Sequence, residues 1–133
     1  MNIEQTLVIL KPDSQDTPSQ AEVYKKFKNI LSKRWMNISQ QTEFILSENI
    51  IKQHYQWKEE HPLYNEVVSY MNSWKSIIIE IKWIDVIKRV RLITLSLRKI
   101  LLSQEPGKIY NLIHASDSLS EAKRERKVHF PHT

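Results

Sequence analysis

Ser76-Ile77-Ile78-Ile79-Glu80-Ile81-Lys82-Trp83 is the segment whose reading sets the fold. Ile77, Ile79, Ile81 and Trp83 fall on one face, and Ile78, Glu80 and Lys82 on the other. A period of two sustained over eight residues predicts a strand with one buried side. Thr6-Leu7-Val8-Ile9-Leu10 is a second short, β-rich apolar run; it stops at Lys11-Pro12-Asp13, where Pro12 has no N–H to give to a ladder. Beyond a loop of turn and capping residues at 13–19, Val23, Phe27, Ile30 and Leu31 recur at helical spacing, with Lys25, Lys26, Lys28 and Lys33 turned mostly to water. Residues 41–46 read as another strand, and 48–55 and 62–71 as two short helices. The second opens on a proline in its first turn and carries Tyr64, Val67, Val68 and Met71 on one stripe. Residues 85–102 fit a helix through Ile87, Val90, Leu97 and Leu101, against their β-branched content, and Pro106-Gly107 ends it. Residues 108–113 read as the last strand, and Ser118-Leu119-Ser120-Glu121 as a capping box that opens the last helix. With no repeat and no low-complexity tract, strands and helices alternate through one domain spanning residues 1–133.

Composition narrows the chemistry. The chain has 133 residues, one glycine (Gly107) and no cysteine. The missing thiols exclude disulfides, thiolate nucleophiles and cysteine-ligated zinc or iron–sulfur sites. One glycine cannot write either the lysine-containing phosphate loop or the three-glycine dinucleotide fingerprint, so any phosphate bound here is bound by side chains. A net charge of +5 suits an anionic partner, yet acids and bases are interspersed except at Lys123-Arg124-Glu125-Arg126-Lys127. That run is the one place for a nucleic acid, although a solvated helix face is the commoner meaning of such a cluster. No basic-then-apolar leader opens the chain, and the densest apolar run, 77–81, is far too short for a bilayer. A cytoplasmic protein without membrane contact is expected.

Asn111-Leu112-Ile113-His114-Ala115-Ser116-Asp117-Ser118 sets an imidazole where a strand is expected to end, just before a capped helix. Free backbone N–H groups and the helix dipole make such places receptive to anions. Glu125 lies one turn beyond Glu121 on the same helix face, so a carboxylate can fold back towards His114. On these features alone, a polar loop histidine beside a surface glutamate is commoner than a catalytic pair. His54, His61, His129 and His132 carry no nearby carboxylate pattern, and no metal site is expected at them.

The run 111–118, followed by Glu121, Ala122 and Glu125, resembles the signature of the nucleoside diphosphate kinase family, which reads asparagine, two aliphatics, histidine, glycine, serine, aspartate. Residues 6–13 with their Lys-Pro-Asp ending, Ile51-Lys52-Gln53-His54-Tyr55, Ser69-Tyr70-Met71-Asn72-Ser73 and Val86-Ile87-Lys88-Arg89-Val90-Arg91 are similar to four further stretches, in the family's order. The resemblance spans nearly the whole chain. It implies an α/β (α+β) fold, a ferredoxin-like antiparallel four-stranded sheet covered by helices. It also implies transfer of a γ-phosphoryl group from a nucleoside triphosphate to a nucleoside diphosphate, by a ping-pong route through a phosphohistidine on His114. Glu125 would orient and polarise the imidazole, and Ser116 would hydrogen-bond that carboxylate. Lys11 and Arg91 would neutralise phosphate charge, Tyr55 would hydrogen-bond near the same oxygens, and Asn111 with Lys11 would hold the ribose. The same resemblance implies tolerance of different bases, Mg²⁺ brought by the nucleotide with no protein metal ligands, and a dimer-based homo-oligomer.

Three features depart from the family pattern. Ala115 stands where the family has glycine. Leu63 takes the place of the aromatic on which the base stacks, with Tyr64 beside it as a substitute. The stretch 92–110 is shorter and more aliphatic than the family's phosphate loop, whose threonine and second arginine have no clear counterpart; Arg98 or Lys108 is the candidate to reach the phosphates. Loss of one charge-assisted phosphate contact costs roughly 1.5–3 kcal/mol, about ten- to a hundredfold in rate. Reduced activity is therefore expected, and the alternative is a nucleotide-binding or interaction module of the same fold with little or no turnover.

Overall fold

Elements follow in the order β1 (Ile3–Leu10), α1 (Gln20–Lys33), β2 (Ile38–Phe44), α2 (Glu48–Tyr55), α3 (Tyr64–Met71), β3 (Ser76–Ile84), α4 (Val86–Leu101), β4 (Ile113–Ala115) and α5 (Leu119–His129) in the computed structural model, which describes residues 2–14, 17–56, 59–102 and 110–131. The strands form one antiparallel sheet in the order β2-β3-β1-β4. Covered by helices, it is the ferredoxin-like arrangement that the resemblance implies. Leu10 of β1 faces Ile77 of β3, and Ile9 lies between Ile78 on one side and His114 on the other.

The expectation that β3 has one buried side is corrected: every residue from Ser76 to Ile81 is buried. Val8, Leu10, Ile77, Ile79 and Ile81 pack against Val23, Phe27 and Leu31 of α1 and Val90 and Leu97 of α4. Leu7, Ile9 and Ile78 pack on the opposite face against Ile51 of α2 and Val67, Tyr70 and Met71 of α3. Glu80, which alternation alone would send to water, is 4% exposed because the guanidinium of Arg126 on α5 comes over the sheet to meet it. A buried carboxylate is tolerable with such a partner and costly without one.

Caps set the helix starts. Ser19 accepts from the Glu22 N–H, Ser47 from Ile50 and Ser118 from Glu121, the last being the serine half of the expected capping box, with the Glu121 carboxylate paired to Arg124. The β-branched stretch after Asp85 is helical, with Val86, Ile87, Val90, Ile93 and Thr94 all buried against the sheet, so packing overrides their weak propensity. The last strand is also corrected. It is Ile113–Ala115, residues 110–112 of the expected strand lie outside it, and His114 lies inside it. Leu112 has φ of 70°, outside strand geometry, and its carbonyl accepts from the Lys11 N–H. Lys108, Ile109 and the expected helix stop at Pro106-Gly107 lie outside the described residues. No helix among the described residues is long and apolar enough to cross a membrane.

Candidate active site

The approach to His114 is strained. The Ile113 N–H donates to the Asn111 carbonyl at 2.8 Å across Leu112, a three-residue turn with positive φ. A leucine held there costs about 1–3 kcal/mol, a feature that clusters at functional sites. The turn brings the Asn111 side chain to Lys11, whose Nζ donates to Oδ1 at 2.7 Å. Beyond His114, the Ser116 N–H donates to the Leu7 carbonyl at 3.0 Å and keeps β4 against β1. The other edge of β4 is closed by α4. Arg91 Nη1 donates to the Ala115 carbonyl at 3.2 Å, and Arg98, two turns further on, donates Nε and Nη2 to the Ile113 carbonyl. Two guanidinium groups therefore flank His114.

His114 shares a face of the sheet with α2 and α5. Its Nε2 lies 2.9 Å from Oε1 of Glu125, and Ser116 Oγ donates to the same oxygen at 2.7 Å. Burial pushes the Glu125 carboxyl up, but the hydrogen bonds from His114 and Ser116 and the nearby Arg124 outweigh it and hold the group below its ordinary range. With Nε2 committed to this carboxylate, Nδ1 is the ring nitrogen left to act as a nucleophile.

Lys11 is 5% exposed, and its ammonium is pushed down to about 7, first by burial and then by Arg98. Its loop is pinned by Gln20, whose Nε2 donates to the carbonyls of Leu10, Lys11 and Lys75, while Asp13 accepts from the Gln20 N–H and Tyr70 donates to the Pro12 carbonyl. Tyr55 ends α2 with its ring 5.0 Å from that of His54; burial raises its hydroxyl despite Arg98, so it is a phenol donor at neutral pH. Leu63 is half-buried at the head of α3. Tyr64 is buried, so the expectation that it could substitute as a stacking surface is corrected.

Two histidines read from the sequence as carrying no pattern join the site. His129 Nε2 lies 3.1 Å from His54 Nδ1, and the His54 ring stands 4.8 Å from that of His114. One signal was available: Glu125 and His129 are four apart on α5 and so share a face. Nothing in the sequence pairs either with His54. Arg124 fastens α5 to the end of α2, donating to the carbonyls of Gln53 and His54 at 2.8 and 2.9 Å while pairing with Glu121. In the basic run, Arg124 and Arg126 are thus turned to internal partners, and Lys123 and Lys127 are exposed.

One ligand atom each from His54, His114 and Glu125 lies within 4.8 Å of the others, a donor set a zinc ion could use. The surroundings favour the opposite charge: Lys11, Arg91, Arg98 and Arg124 converge on the same place. An imidazole held by a carboxylate among three guanidinium groups and a buried lysine suits attack on an anionic electrophile such as a phosphoryl group.

A family profile described as nucleoside diphosphate kinase matches residues 4–133. The chain is 30% identical to a nucleoside diphosphate kinase of Acetivibrio thermocellus, over 97% of both chains. It is 31% identical to one of Acanthamoeba polyphaga mimivirus, over 98% of this chain and 96% of the other. Among solved structures, the nucleoside diphosphate kinase of Aquifex aeolicus superposes with a TM-score of 0.76 at 27% identity, covering 97% of this chain and 96% of that one. A Borrelia burgdorferi nucleoside-diphosphate kinase, solved with vanadate and ADP, shares the fold with a TM-score of 0.77 at 18% identity, covering 96% of this chain and 87% of that one.

Proposed function

The chain belongs to the nucleoside diphosphate kinase family, and from that premise we propose that residues 1–133 act as one phosphotransferase domain in which His114 carries the phosphoryl group between nucleotides. The observation that carries this reading is the hydrogen bond between His114 Nε2 and the Glu125 carboxylate, itself braced by Ser116.

The Nδ1 lone pair of His114 attacks the γ-phosphorus of a nucleoside triphosphate. A P–N bond forms, the bond from phosphorus to the β,γ-bridging oxygen breaks, and the diphosphate departs with that electron pair. A terminal oxygen of a second nucleoside diphosphate then attacks phosphorus, and the P–N pair returns to His114. Positive charge builds on the ring in the first half, and the ionised Glu125 opposes it through Nε2–H. Lys11 and Arg91 neutralise the phosphate oxygens, Tyr55 donates to them, and Asn111 with Lys11 holds the ribose. Arg98 takes the part of the second phosphate-binding arginine: it spends two N–H groups on the Ile113 carbonyl and has others for an oxygen. Leu63 gives the base an aliphatic rest, so base selectivity is broad.

Mg²⁺ fits this site as a companion of the nucleotide. The carboxylate beside His114 has Oε1 occupied by His114 and Ser116 and Oε2 facing Arg124, so that it offers a hard cation no acidic cage among the described residues. When bound with the nucleotide, the ion supplies charge neutralisation to its phosphates. The open edge strand β2, ending at Phe44, 55% exposed, with Ile45 after it 61% exposed, supports a dimer-based homo-oligomer, and a nucleotide substrate is consistent with work in the cytoplasm. Sedimentation of a monomer at micromolar concentration would count against the oligomer.

Incubation with γ-labelled ATP should give an acid-labile phosphoprotein that the His114→Ala chain does not form. Folded protein that binds nucleotide and takes no label is instead a nucleotide-binding module, and the reading fails.

A further inference from the structure

The transfer chemistry leaves unused a buried pair that lies against it. His54 on α2 is 5% exposed and His129, the last residue of α5, is 9% exposed. Their facing nitrogens, Nδ1 of His54 and Nε2 of His129, are 3.1 Å apart. The His54 ring in turn stands at 83° to that of His114, centroids 4.8 Å apart, with a nitrogen within 4.8 Å of both a His114 nitrogen and a Glu125 oxygen. Three rings thus run from the end of α5 to the nucleophile.

A hydrogen bond between two imidazoles has one donor and one acceptor. If His54 donates from Nδ1, its Nε2 is a bare lone pair. If His129 donates from Nε2, then His54 accepts at Nδ1 and carries its proton on Nε2. The groups around His54 are His129, Arg124 and Glu125 of α5, His114 of β4, Lys11 after β1 and Tyr55 beside it on α2. Burial keeps both rings neutral, holding His129 down to about 4 against the opposing Glu125 carboxylate and His54 well below its ordinary value. The variable is therefore the tautomer and not the charge. A phosphoryl group on His114 brings anionic oxygens that an N–H attracts and a lone pair repels.

Resting on the phosphohistidine reading, we propose that His129 is a positioning residue for the transfer: its Nε2–H donates to Nδ1 of His54, which fixes the His54 proton on Nε2 and gives the site around His114 and Glu125 a neutral N–H donor. No other described residue bonds to the Nδ1 of His54.

Nitrogen NMR of histidine-labelled protein reads the tautomer without any turnover. The expected spectrum has His54 as the Nε2–H form, before and after phosphorylation, and a mixture of both forms in His129→Phe. In kinetics, His129→Phe should lower the maximal transfer rate in proportion to the fraction of His54 that leaves the Nε2–H form, about twofold for an even mixture, with nucleotide KM unchanged, and His129→Gln, which keeps a donor, should restore most of it. A wild-type His54 protonated on Nδ1 overturns the proposal, as does a folded His129→Phe with wild-type transfer. If His129→Phe does not fold, His54→Gln against His54→Phe decides in its place: equal rates overturn the proposal, and a faster Gln variant supports it. Absence of label on wild-type His114 rejects the phosphohistidine reading by itself, whatever the tautomer.

Discussion

The imidazole of His114 and the carboxylate of Glu125 are joined at 2.9 Å between an edge strand and the last helix, and the oxygen that His114 reaches also accepts from Ser116. One acceptor atom bound twice is fixed in position, so the ring it holds is fixed as well. Glu125→Ala should therefore lower kcat/KM by about a hundredfold, the low end for loss of a group that polarises a reacting imidazole. Glu125→Gln keeps the acceptor without the charge and should fall between, and Ser116→Ala should cost less than either. Steady-state transfer from ATP to a second diphosphate measures this; a Glu125→Ala rate equal to wild type would contradict the assignment.

Lys11 should take up a proton when nucleotide binds. Its ammonium, pushed down to about 7 by burial and Arg98, is mostly neutral at pH 8, and polyphosphate oxygens restore the charged form. Titration calorimetry in two buffers of different ionisation enthalpy should show uptake approaching one proton at pH 8. Lys11→Met should abolish the uptake and weaken binding roughly ten- to a hundredfold. Because the folded value lies below the unfolded one, the unfolded chain holds the extra proton between about pH 7 and 10.5, and this group adds stability as pH rises through that window.

Periodicity, β-rich apolar runs and capping residues marked the elements, yet they misplaced what depends on partners far along the chain. Glu80 reads as a solvent-facing residue, since alternation cannot register Arg126 arriving from α5. The start of β4 was hidden by Leu112, because a leucine with positive φ leaves no sequence signal of the kind a glycine would. The linear signature at 111–118 was enough to single out His114, and Glu125 followed by helical spacing. His54 was within reach only as a neighbour of Tyr55, since its bond to His129 joins helices whose bonded residues are 75 positions apart. Arg98 could be ranked as a candidate cation, but its role at the edge of β4 required the sheet.

The buried histidine pair should make the protein acid-sensitive above the carboxylate range. Both rings are neutral when folded, held down first by burial, whereas in the unfolded chain they protonate near 6.5. The stability His129 contributes is present above about pH 6.5 and is lost as pH falls towards 4, by about 2 kcal/mol between 6.5 and 5, and that of His54 is lost in the same direction. Glu125, held below 4.5, joins only at lower pH. Melting temperatures from pH 7 to 5 should drop more steeply for wild type than for a folded His54→Gln/His129→Phe double variant; parallel curves would refute the assignment.

The Glu80–Arg126 pair should respond unequally to loss of its two members. The Glu80 side chain is 5% exposed and that of Arg126 is 21% exposed, so only the arginine can turn to water when left alone. Arg126→Leu strands a carboxylate between sheet and helix and should cost about 3–5 kcal/mol. Glu80→Leu leaves a guanidinium on a long stem that reaches solvent and should cost roughly 1–2 kcal/mol. Replacing both with leucine restores an apolar contact on the face that already holds Ile78, and should recover most of the loss. Urea unfolding of the three variants tests the order, and equal losses for the two single variants would mean that the pair is hydrated and contributes as a surface ion pair does.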